Sequence, residues 1–271
     1  MTTYNNSRWG AIPPYVIAIP SYKRSMILLY KTLNFLERNS IDPKLIHIFI
    51  VEEDLDDYNQ IPTYLYNDLI VGVKGIVKQR EFIDNYFDEG TCIVSLDDDI
   101  QDIIYANEHE EIPLDDFLNN AFELCKKEGA YLWGLYPVSN PFYAKRYKWY
   151  TTHLTFICGA FYGYINRPKL EDIKCALTSN DDEMEDIERS IAYWLYDKKV
   201  IRFNTICIKT KYFNNIGGLG NLQQRKDTFE LTAKLLHAHY PSYTRVYIKK
   251  NGVHNLRLRD GSKQTLSIKN K

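Results

Sequence analysis

The chain has 271 residues, of which 45% are hydrophobic and 25% are charged, a composition typical of a globular protein with a substantial core. Its 34 Lys and Arg residues against 35 Asp and Glu residues give a net charge of −1, which excludes a general electrostatic attraction to nucleic acid or to a membrane, so any basic surface must be local. No apolar run approaches the roughly 20 residues of a membrane span, and the N-terminal stretch MTTYNNSRWG lacks the apolar core of a signal peptide, so the sequence predicts a soluble, cytoplasmic protein with no membrane partner.

The first half of the chain alternates predicted strands with predicted helices. Apolar runs predict strands at 15–20, 45–51 and 92–96, a shorter apolar run lies at 69–73, and helical spacing of apolar residues predicts helices at 24–38, around 57–69 and at 76–87. Strands that alternate with helices at this spacing indicate βαβ units and a mainly parallel sheet.

The second half follows a different order of elements. Helices are predicted at 114–128, 184–198 and 226–239, and strands at 130–136, 154–165, 200–209 and 243–249. There is no internal repeat, low-complexity block or interdomain linker, which predicts a single domain over residues 1–271. The five cysteines lie singly, without the CxxC or CxH spacing of a zinc site, which predicts small buried thiols.

Polar and charged residues follow three of the predicted strands where each strand ends. The strand at 15–20 ends in PSYKR, the strand at 45–51 is followed by EED (52–54), and the strand at 92–96 is followed by DDD (97–99). The carboxyl ends of parallel strands share one edge of the sheet, where ligands bind, so these groups should converge. Three adjacent carboxylates repel each other by on the order of 1 kcal/mol per close pair, which indicates a positive partner.

The stretch IVSLDDDI (93–100) suits a metal site beside a diphosphate. An Asp-x-Asp at a strand end offers the hard oxygen ligands that Mg²⁺ or Mn²⁺ prefers, and the metal keeps positions open for phosphate oxygens. The alternative is a solvated acidic turn that caps the strand.

The order of these motifs resembles the glycosyltransferases of the GT-A fold. IAIPSYKR, VEED, GIVKQREFI, VSLDDDI, GAFYGYINR and EMEDIERSIAYWLYDKKV follow one another as the corresponding elements do in that family, over residues 14–210. The resemblance implies an α/β fold with a Rossmann-like, mainly parallel central sheet flanked by helices and a smaller acceptor-side sheet. Residues from about 14 to 110 would bind the nucleotide-sugar and those from about 111 to 260 the acceptor.

The resemblance also implies roles for individual residues. The turn that holds the nucleotide would consist of Pro20, Ser21, Tyr22 and Arg24, and the acid that contacts the base would be Glu52 or Glu53. Gln79 and Arg80 would contact the diphosphate, and Asp97, with its neighbour Asp98, would contact the ribose. The metal ligands would be Asp97, Asp99 and His254. The cofactor would be Mn²⁺ or Mg²⁺ and the donor a UDP-sugar. The alternatives are that His254 is a surface residue and that Arg24 and Arg80 are solvated helix residues without a ligand.

The pair Glu185 and Asp186 corresponds to the family's E-D element, whose Asp is the general base in inverting members. A carboxylate beside the acceptor hydroxyl can take its proton as attack on the anomeric carbon begins. Asp186 is the first candidate, with Asp182 and Glu185 behind it. Acidic residues also favour a helix N-terminus through the backbone dipole, which is the alternative explanation of this cluster.

Three further stretches, GLYPVSNPFYAKRY (134–147), KGIVKQREFI (74–83) and IKTKYFNNIGGLG (208–220), resemble the TET/JBP-associated glycosyltransferases of phages and large viruses. This implies transfer of a hexose, glucose first, from UDP-hexose to 5-hydroxymethylpyrimidine in DNA, in the host cytoplasm. The basic segments at 146–150 and 256–271 would contact DNA, and Arg225, beyond a mobile glycine-rich loop, would reach the diphosphate.

Two other functions stay open at this point. The acceptor could be a glycan or a protein, or the chain could be a non-catalytic relative that binds nucleotide-sugar or nucleic acid. A sugar-nucleotide pyrophosphorylase is disfavoured, because it would need a glycine-rich, lysine-containing loop near the N-terminus and PSYKRS is not one.

Overall fold

The computed structural model describes residues 14–107, 111–144, 148–180, 182–210 and 225–259. The strands are β1 (Val16–Pro20), β2 (Ile46–Ile50), β3 (Asp68–Val71), β4 (Cys92–Leu96), β5 (Asp102–Tyr105), β6 (Leu132–Tyr136), β7 (Tyr150–Thr151), β8 (Phe161–Ile165), β9 (Ile201–Lys209), β10 (Thr244–Ile248) and β11 (His254–Leu258). The helices are α1 (Ser25–Leu28), α2 (Asn34–Arg38), α3 (Leu55–Tyr58), α4 (Ile76–Tyr86), α5 (Leu114–Glu128), α6 (Pro141–Ala144), α7 (Glu185–Asp197) and α8 (Lys226–His239). None of the helices in these ranges is long and apolar enough to cross a membrane.

One large sheet contains strands from both halves of the chain. Its order is β3-β2-β1-β4-β8-β6-β9-β5, and β7 pairs with β9. Strands β1, β2, β3 and β4 are parallel to one another, and β8 is antiparallel to both β4 and β6. Strand β9 is parallel to β6, and β5 and β7 are antiparallel to β9. Six of the nine described strands of this sheet, β1 to β4, β6 and β9, therefore run in one direction. Strands β10 and β11 form a separate antiparallel hairpin. The predicted α/β fold with a mainly parallel sheet and a second, smaller sheet is therefore confirmed.

The central strands are apolar on both faces because helices cover both sides of the sheet. Every residue of β1, β2 and β4 is buried. Ile17 and Ile19 of β1 pack in a layer with Phe35 of α2, whereas Val16 packs in the opposite layer with Ile83 of α4. Alternate residues of a strand point to opposite faces, so one short apolar run supplies both layers.

Two predicted elements differ from the structure. Only α3 and a short 3-10 turn occupy the region predicted as a helix around 57–69, and β3 follows directly. Pro62 follows Ile61 there, and a proline removes a backbone donor and disfavours helical geometry in the residue before it. The predicted strand at 154–165 is a strand only from Phe161, because the amides of Ile157 and Gly159 donate to side chains of α7 instead of to a neighbouring strand.

Sequence patterns also missed the two-residue strand β7 and two longer strands. Strand β5, just beyond the acidic triplet, pairs with β9, and β11 follows the strand that was predicted to be the last. Both are five residues or shorter, and each is held by a partner strand that lies elsewhere in the chain or across a tight turn.

The predicted helix at 24–38 is present but not uniform. Residues Leu29–Leu33 form a π-helical turn between α1 and α2. A π-turn inserts an extra residue into the helix, and such turns occur frequently at functional sites. Here it contains Thr32, which is fully buried and contacts the acidic triplet.

Candidate active site

A cavity of about 1020 Å³ lies at the carboxyl ends of the parallel strands. Most of the predicted site residues line it: Pro20, Ser21, Tyr22, Arg24, Gln79, Arg80, Asp97, Asp98, Asp99, Asp182, Glu185, Asp186 and Arg225. Glu52, Glu53 and His254 do not line it. Groups that are spread over about 200 positions of the sequence thus meet in one space, as the strand topology requires.

Asp98 ties two strand ends together. Its Oδ2 accepts a hydrogen bond of 2.7 Å from Ser21 Oγ, and its Oδ1 lies 3.1 Å from Arg24 Nη1. The side chain is buried, and burial raises the pKa of Asp98 to about 6 against the lowering by Arg24 and Ser21. Asp98 therefore connects the turn after β1 to the turn after β4.

Asp97 and Asp99 flank this connection. The Asp97 side chain is 38% exposed and its Oδ1 lies 3.5 Å from Arg80 Nη2. Burial in the cavity raises the pKa of Asp97 to about 7, and the Asp99 and Asp98 carboxylates add to that increase while Arg80 opposes it. Asp99 Oδ1 accepts a 2.7 Å hydrogen bond from Thr210 Oγ1.

The residues present fit a divalent cation that shares its ligands with a substrate. The described residues contain no group of three or more His, Cys, Asp and Glu side chains that could hold a metal by themselves. Mg²⁺ commonly binds to one or two carboxylates together with substrate phosphates and water. Asp97 and Asp99 could supply the carboxylates, and a cation between them would offset the repulsion that contributes to the raised pKa of Asp97.

His254 lies away from this pair. It does not line the cavity, and its Nδ1 is 3.6 Å from Glu230 Oε2 on α8. The geometry thus gives no support to the prediction of His254 as a third metal ligand. His254 follows the predicted last strand in sequence. The turn before His254 folds β11 back onto β10, and the His254 ring lies beside Glu230 of α8.

Glu53 contacts the cavity only through another side chain. Its Oε1 accepts a hydrogen bond of 2.8 Å from the Tyr22 hydroxyl and lies 3.6 Å from Lys74 Nζ. The hydrogen bond from Tyr22, followed by the charge of Lys74, lowers the pKa of Glu53. The carboxylate that sequence reasoning missed here is the buried Asp54, which accepts a 2.7 Å hydrogen bond from the backbone amide of Lys23 and so fixes the turn after β1.

Glu185 lies between two arginines. Arg80 Nη1 pairs with Glu185 Oε1, and Arg189 Nη1 lies 2.8 Å from Glu185 Oε2. Arg80 Nη2 also donates to the Gly159 carbonyl over 2.9 Å. A Cβ at Gly159 would stand 2.9 Å from Glu185 Oε1, so glycine leaves room for the ion pair. Both oxygens of Glu185 are engaged, which makes it a positioning group for Arg80.

The two aspartates of this region differ in their surroundings. Asp182 Oδ1 accepts a 3.0 Å hydrogen bond from the Val77 amide in the first turn of α4, so it caps that helix. Asp186 accepts a 3.2 Å hydrogen bond from the Gly159 amide and a 3.0 Å one from the Ile187 amide. Both aspartates line the cavity, and neither has an arginine or lysine ion-pair partner within the described chain.

Arg225 is held by a residue that sequence reasoning did not single out. Arg225 Nη2 lies 2.5 Å from Glu183 Oε2, and its Nε also contacts Glu183. Arg225 lines the cavity. Its contact with a diphosphate stays a prediction. The glycine-rich loop before it lies outside the described residues, as do residues 146–147 and 260–271 of the predicted basic segments.

The hairpin of β10 and β11 forms the far wall of the cavity. Tyr247, Lys249, Asn255 and Arg257 line the cavity, while the other side of the hairpin packs on α8 through Val246 and Leu256. Burial lowers the pKa of Lys249, and the charge of Asp186 opposes that change. This wall is therefore basic and partly aromatic, a feature for which the sequence offered only the scattered basic residues of its last segment.

Comparisons with known proteins bear on the fold. No protein-family model matches the chain, and no curated protein matches its sequence. Among solved structures, the chain is similar to the mannosyltransferase PcManGT from Pyrobaculum calidifontis in complex with GDP-Man and Mn²⁺, with a TM-score of 0.53 and 10% identity over 86% of this chain. The match spans 65% of the length of that protein. At this identity the similarity concerns the fold, and it agrees with the predicted GT-A architecture.

Proposed function

We propose that this chain is a metal-dependent glycosyltransferase that moves a hexose from a nucleotide-sugar to a hydroxyl acceptor. The observation that carries the proposal is the meeting of the acidic triplet, Arg80 and Asp186 in one cavity at the carboxyl edge of the sheet. The neighbour with the same fold binds GDP-Man and Mn²⁺, which supports a nucleotide-sugar donor and a divalent cation.

The donor side is the wall formed by the turns after β1 and β4. Arg80 and Arg24 place two guanidinium groups beside the carboxylates of the triplet, where they can bind phosphate oxygens. Asp97 and Asp99 would hold the cation. When bound, that cation would neutralise negative charge on the departing diphosphate. Fixed positive groups at the point where charge develops are usually the largest contribution to such a reaction.

Asp186 is the proposed general base. An inverting transfer is a single displacement, so it needs one group to take the proton of the acceptor hydroxyl. Glu185 is engaged by two arginines and Asp182 caps α4, which leaves Asp186 as the carboxylate available to the acceptor. The backbone amides of Gly159 and Ile187 orient its two oxygens.

We further propose 5-hydroxymethylpyrimidine in DNA as the acceptor and a UDP-hexose as the donor. The hairpin supports a polyanionic acceptor, because Arg245 of β10 stands directly opposite Arg257 of β11 and Lys249 follows directly after β10. Like charges opposite each other on neighbouring strands destabilise a sheet, and a bound phosphate backbone would relieve that cost. Tyr247, which lies between Arg245 and Lys249 along the chain and lines the cavity, offers a ring on which a base can stack.

The first experiment is a transfer assay with purified protein and Mn²⁺. A panel of UDP-sugars and GDP-sugars is incubated with DNA that contains hydroxymethylcytosine, hydroxymethyluracil or neither, and the digested nucleosides are weighed by mass spectrometry. A hexose mass increment on one modified nucleoside is expected, and the Asp99→Asn variant should give none. Release of nucleoside diphosphate without a hexose mass increment on any nucleoside would support a glycosyltransferase whose acceptor is a glycan or a protein and would contradict the DNA acceptor. Neither product with any donor would contradict the proposal.

The acceptor proposal has a separate test in DNA binding. Replacing Arg245 and Arg257 by Gln should weaken binding and lower the slope of log affinity against log salt by roughly one for each phosphate that these side chains neutralise. Lys127→Gln, an exposed change on α5, is the matched control and should leave the slope unaltered. Equal slopes for all three proteins would contradict a DNA acceptor on this face.

A further inference from the structure

Arg189 lies on α7, one helical turn after Glu185, and is 6% exposed. It does not line the large cavity. Instead it lines a second cavity of about 300 Å³ on the other side of Arg80 and Glu185, which are shared between the two. A ligand in the large cavity therefore cannot touch Arg189 directly.

A continuous series of ion pairs nevertheless joins Arg189 to the acidic triplet. Arg189 Nη1 lies 2.8 Å from Glu185 Oε2, and the other oxygen of Glu185 pairs with Arg80. Arg80 in turn lies 3.5 Å from Asp97 Oδ1. Each of the two arginines takes one oxygen of Glu185, so the position of one constrains the position of the other.

Arg189 is itself fixed to the central sheet. Its guanidinium stacks on the ring of Tyr162 in β8 at 3.8 Å from the ring centre, and its Nη1 donates to the Tyr162 hydroxyl over 2.9 Å. A planar guanidinium can stack on a ring and donate at its edge simultaneously, which the ammonium of a lysine cannot do. Tyr162 is buried and pairs with Ser95 of β4, the strand that ends at the acidic triplet.

We infer that Arg189 is a positioning residue that holds Arg80 in place for the nucleotide diphosphate, acting through Glu185. Without Arg189, Glu185 Oε2 would be buried without its partner, at a considerable desolvation cost. Arg80 is the nearest remaining cation and would turn to pair with both oxygens of Glu185. It would then move away from Asp97 and from the Gly159 carbonyl, so its donors would no longer face the diphosphate. This inference rests on the proposed function.

The test compares two arginines, Arg189 and Arg167, that both line the second cavity. The Arg167 side chain is 12% exposed, against 8% for Arg189. Its guanidinium lies over Tyr131, 3.9 Å from the ring centre, and pairs with both oxygens of Asp197, at 2.8 and 2.7 Å. The structure gives it no contact with Arg80 or Glu185. Arg189→Met and Arg167→Met should both lower the melting temperature, since each leaves a buried carboxylate without its partner.

The quantity that separates the two variants is the dissociation constant of UDP or GDP in Mn²⁺, measured by isothermal titration calorimetry. Arg189→Met should raise it about tenfold, which corresponds to about 1.4 kcal/mol. Arg167→Met should leave it within about twofold of the unchanged protein. Equal affinities of the unchanged protein and Arg189→Met would overturn the positioning role. Failure of the unchanged protein to bind either nucleotide would instead count against the proposed function.

Two further variants test the route through Glu185. If Arg189 acts only through that carboxylate, the combined Glu185→Gln and Arg189→Met protein should bind no more weakly than Glu185→Gln alone. Additive losses would contradict the route. Should Arg189→Met fail to fold, Arg189→Lys is the substitute, because it keeps the charge and loses the stacked plane. It should weaken nucleotide binding severalfold, and an unchanged affinity would overturn the inference.

Discussion

The hydroxyl of Thr32 donates a 2.8 Å hydrogen bond to the Asp97 carbonyl and accepts one of 2.9 Å from the Ile100 amide. One side chain of the first helical region thus holds both ends of the acidic triplet. Thr32 lies in the π-turn at Leu29–Leu33, which has one residue more than an α-helical turn. The distortion of the helix and the turn at the acidic triplet are therefore in direct contact.

Thr32→Val should lower both stability and metal affinity. Valine has the shape of threonine but leaves a buried amide and a buried carbonyl without this partner, at a cost of about 1–3 kcal/mol. The free energy of unfolding in urea and the Mn²⁺ concentration for half-maximal transfer measure the two effects. Thr32→Ser keeps the hydroxyl and is the control. A Val variant with the metal dependence of the Ser variant would show that the hydroxyl does not shape the turn.

Neighbouring aspartates of the triplet should respond differently to removal of charge. Asp98→Asn is expected to cost about 1.5–3 kcal/mol of stability, because Asp98 accepts hydrogen bonds from Ser21 and Arg24. Asp97→Asn removes one of three repelling carboxylates and should retain the stability while abolishing metal-dependent transfer. Chemical denaturation and the transfer assay distinguish the two. EDTA should stop transfer by the unchanged protein, and added Mn²⁺ should restore it.

Asp186→Asn should separate chemistry from donor binding. Loss of a general base typically lowers the rate by a factor of about 10² to 10⁴. The calorimetric affinity for nucleotide diphosphate and Mn²⁺ should stay unchanged, since the carboxylate contacts the Gly159 and Ile187 amides and, in the proposed reaction, faces the acceptor. A variant that retains turnover, or that loses nucleotide binding to the same degree, would remove Asp186 from the role of base.

Asp84 should make stability depend on pH. Its carboxylate accepts a 2.5 Å hydrogen bond from the Tyr164 hydroxyl, and burial raises the pKa of Asp84 to about 6, against an ordinary value of 3.8. Between these two values the folded state binds more protons than the unfolded state, so this contribution is present at low pH and is lost as pH rises through about 6.

Asp84→Asn removes that titration and isolates its effect. The free energy of unfolding of Asp84→Asn, relative to the unchanged protein, should rise between about pH 4 and pH 6 and stay level above that range. Urea denaturation at several pH values measures the difference. A difference that is constant over the range would show that the pKa of Asp84 is the same in both states.

Much of the cavity wall formed by the turns after β1 and β4 could be predicted from the sequence. The strands that end at Pro20 and Leu96 are short apolar runs followed at once by polar residues, and both features are local. Parallel strands bring their carboxyl ends to one edge, so the convergence of Ser21, Arg24 and the acidic triplet follows from topology. The finer predictions, of a UDP-hexose donor and a DNA acceptor, rest on resemblance and stay proposals.

The roles of individual residues within the site could not be predicted from the sequence, because they depend on contacts between residues far apart in the chain. Glu185 and Asp186 are adjacent and both line the cavity, and no sequence pattern shows that Glu185 is held by Arg80 and Arg189 whereas Asp186 is oriented by backbone amides. The same is true of His254, whose direction is set by packing of the hairpin on α8.

By itself, the sequence determined most of the strands and helices, the mainly parallel sheet and the edge at which the charged groups collect, because hydrophobic periodicity and strand ends are properties of neighbouring residues. Only the tertiary structure decided which carboxylates of the cavity pair with arginines and which accept hydrogen bonds from backbone amides. That decision depends on long-range ion pairs and hydrogen bonds, such as Arg80 with Glu185 across 105 positions of the chain, and on the desolvation that makes each buried charge require a partner.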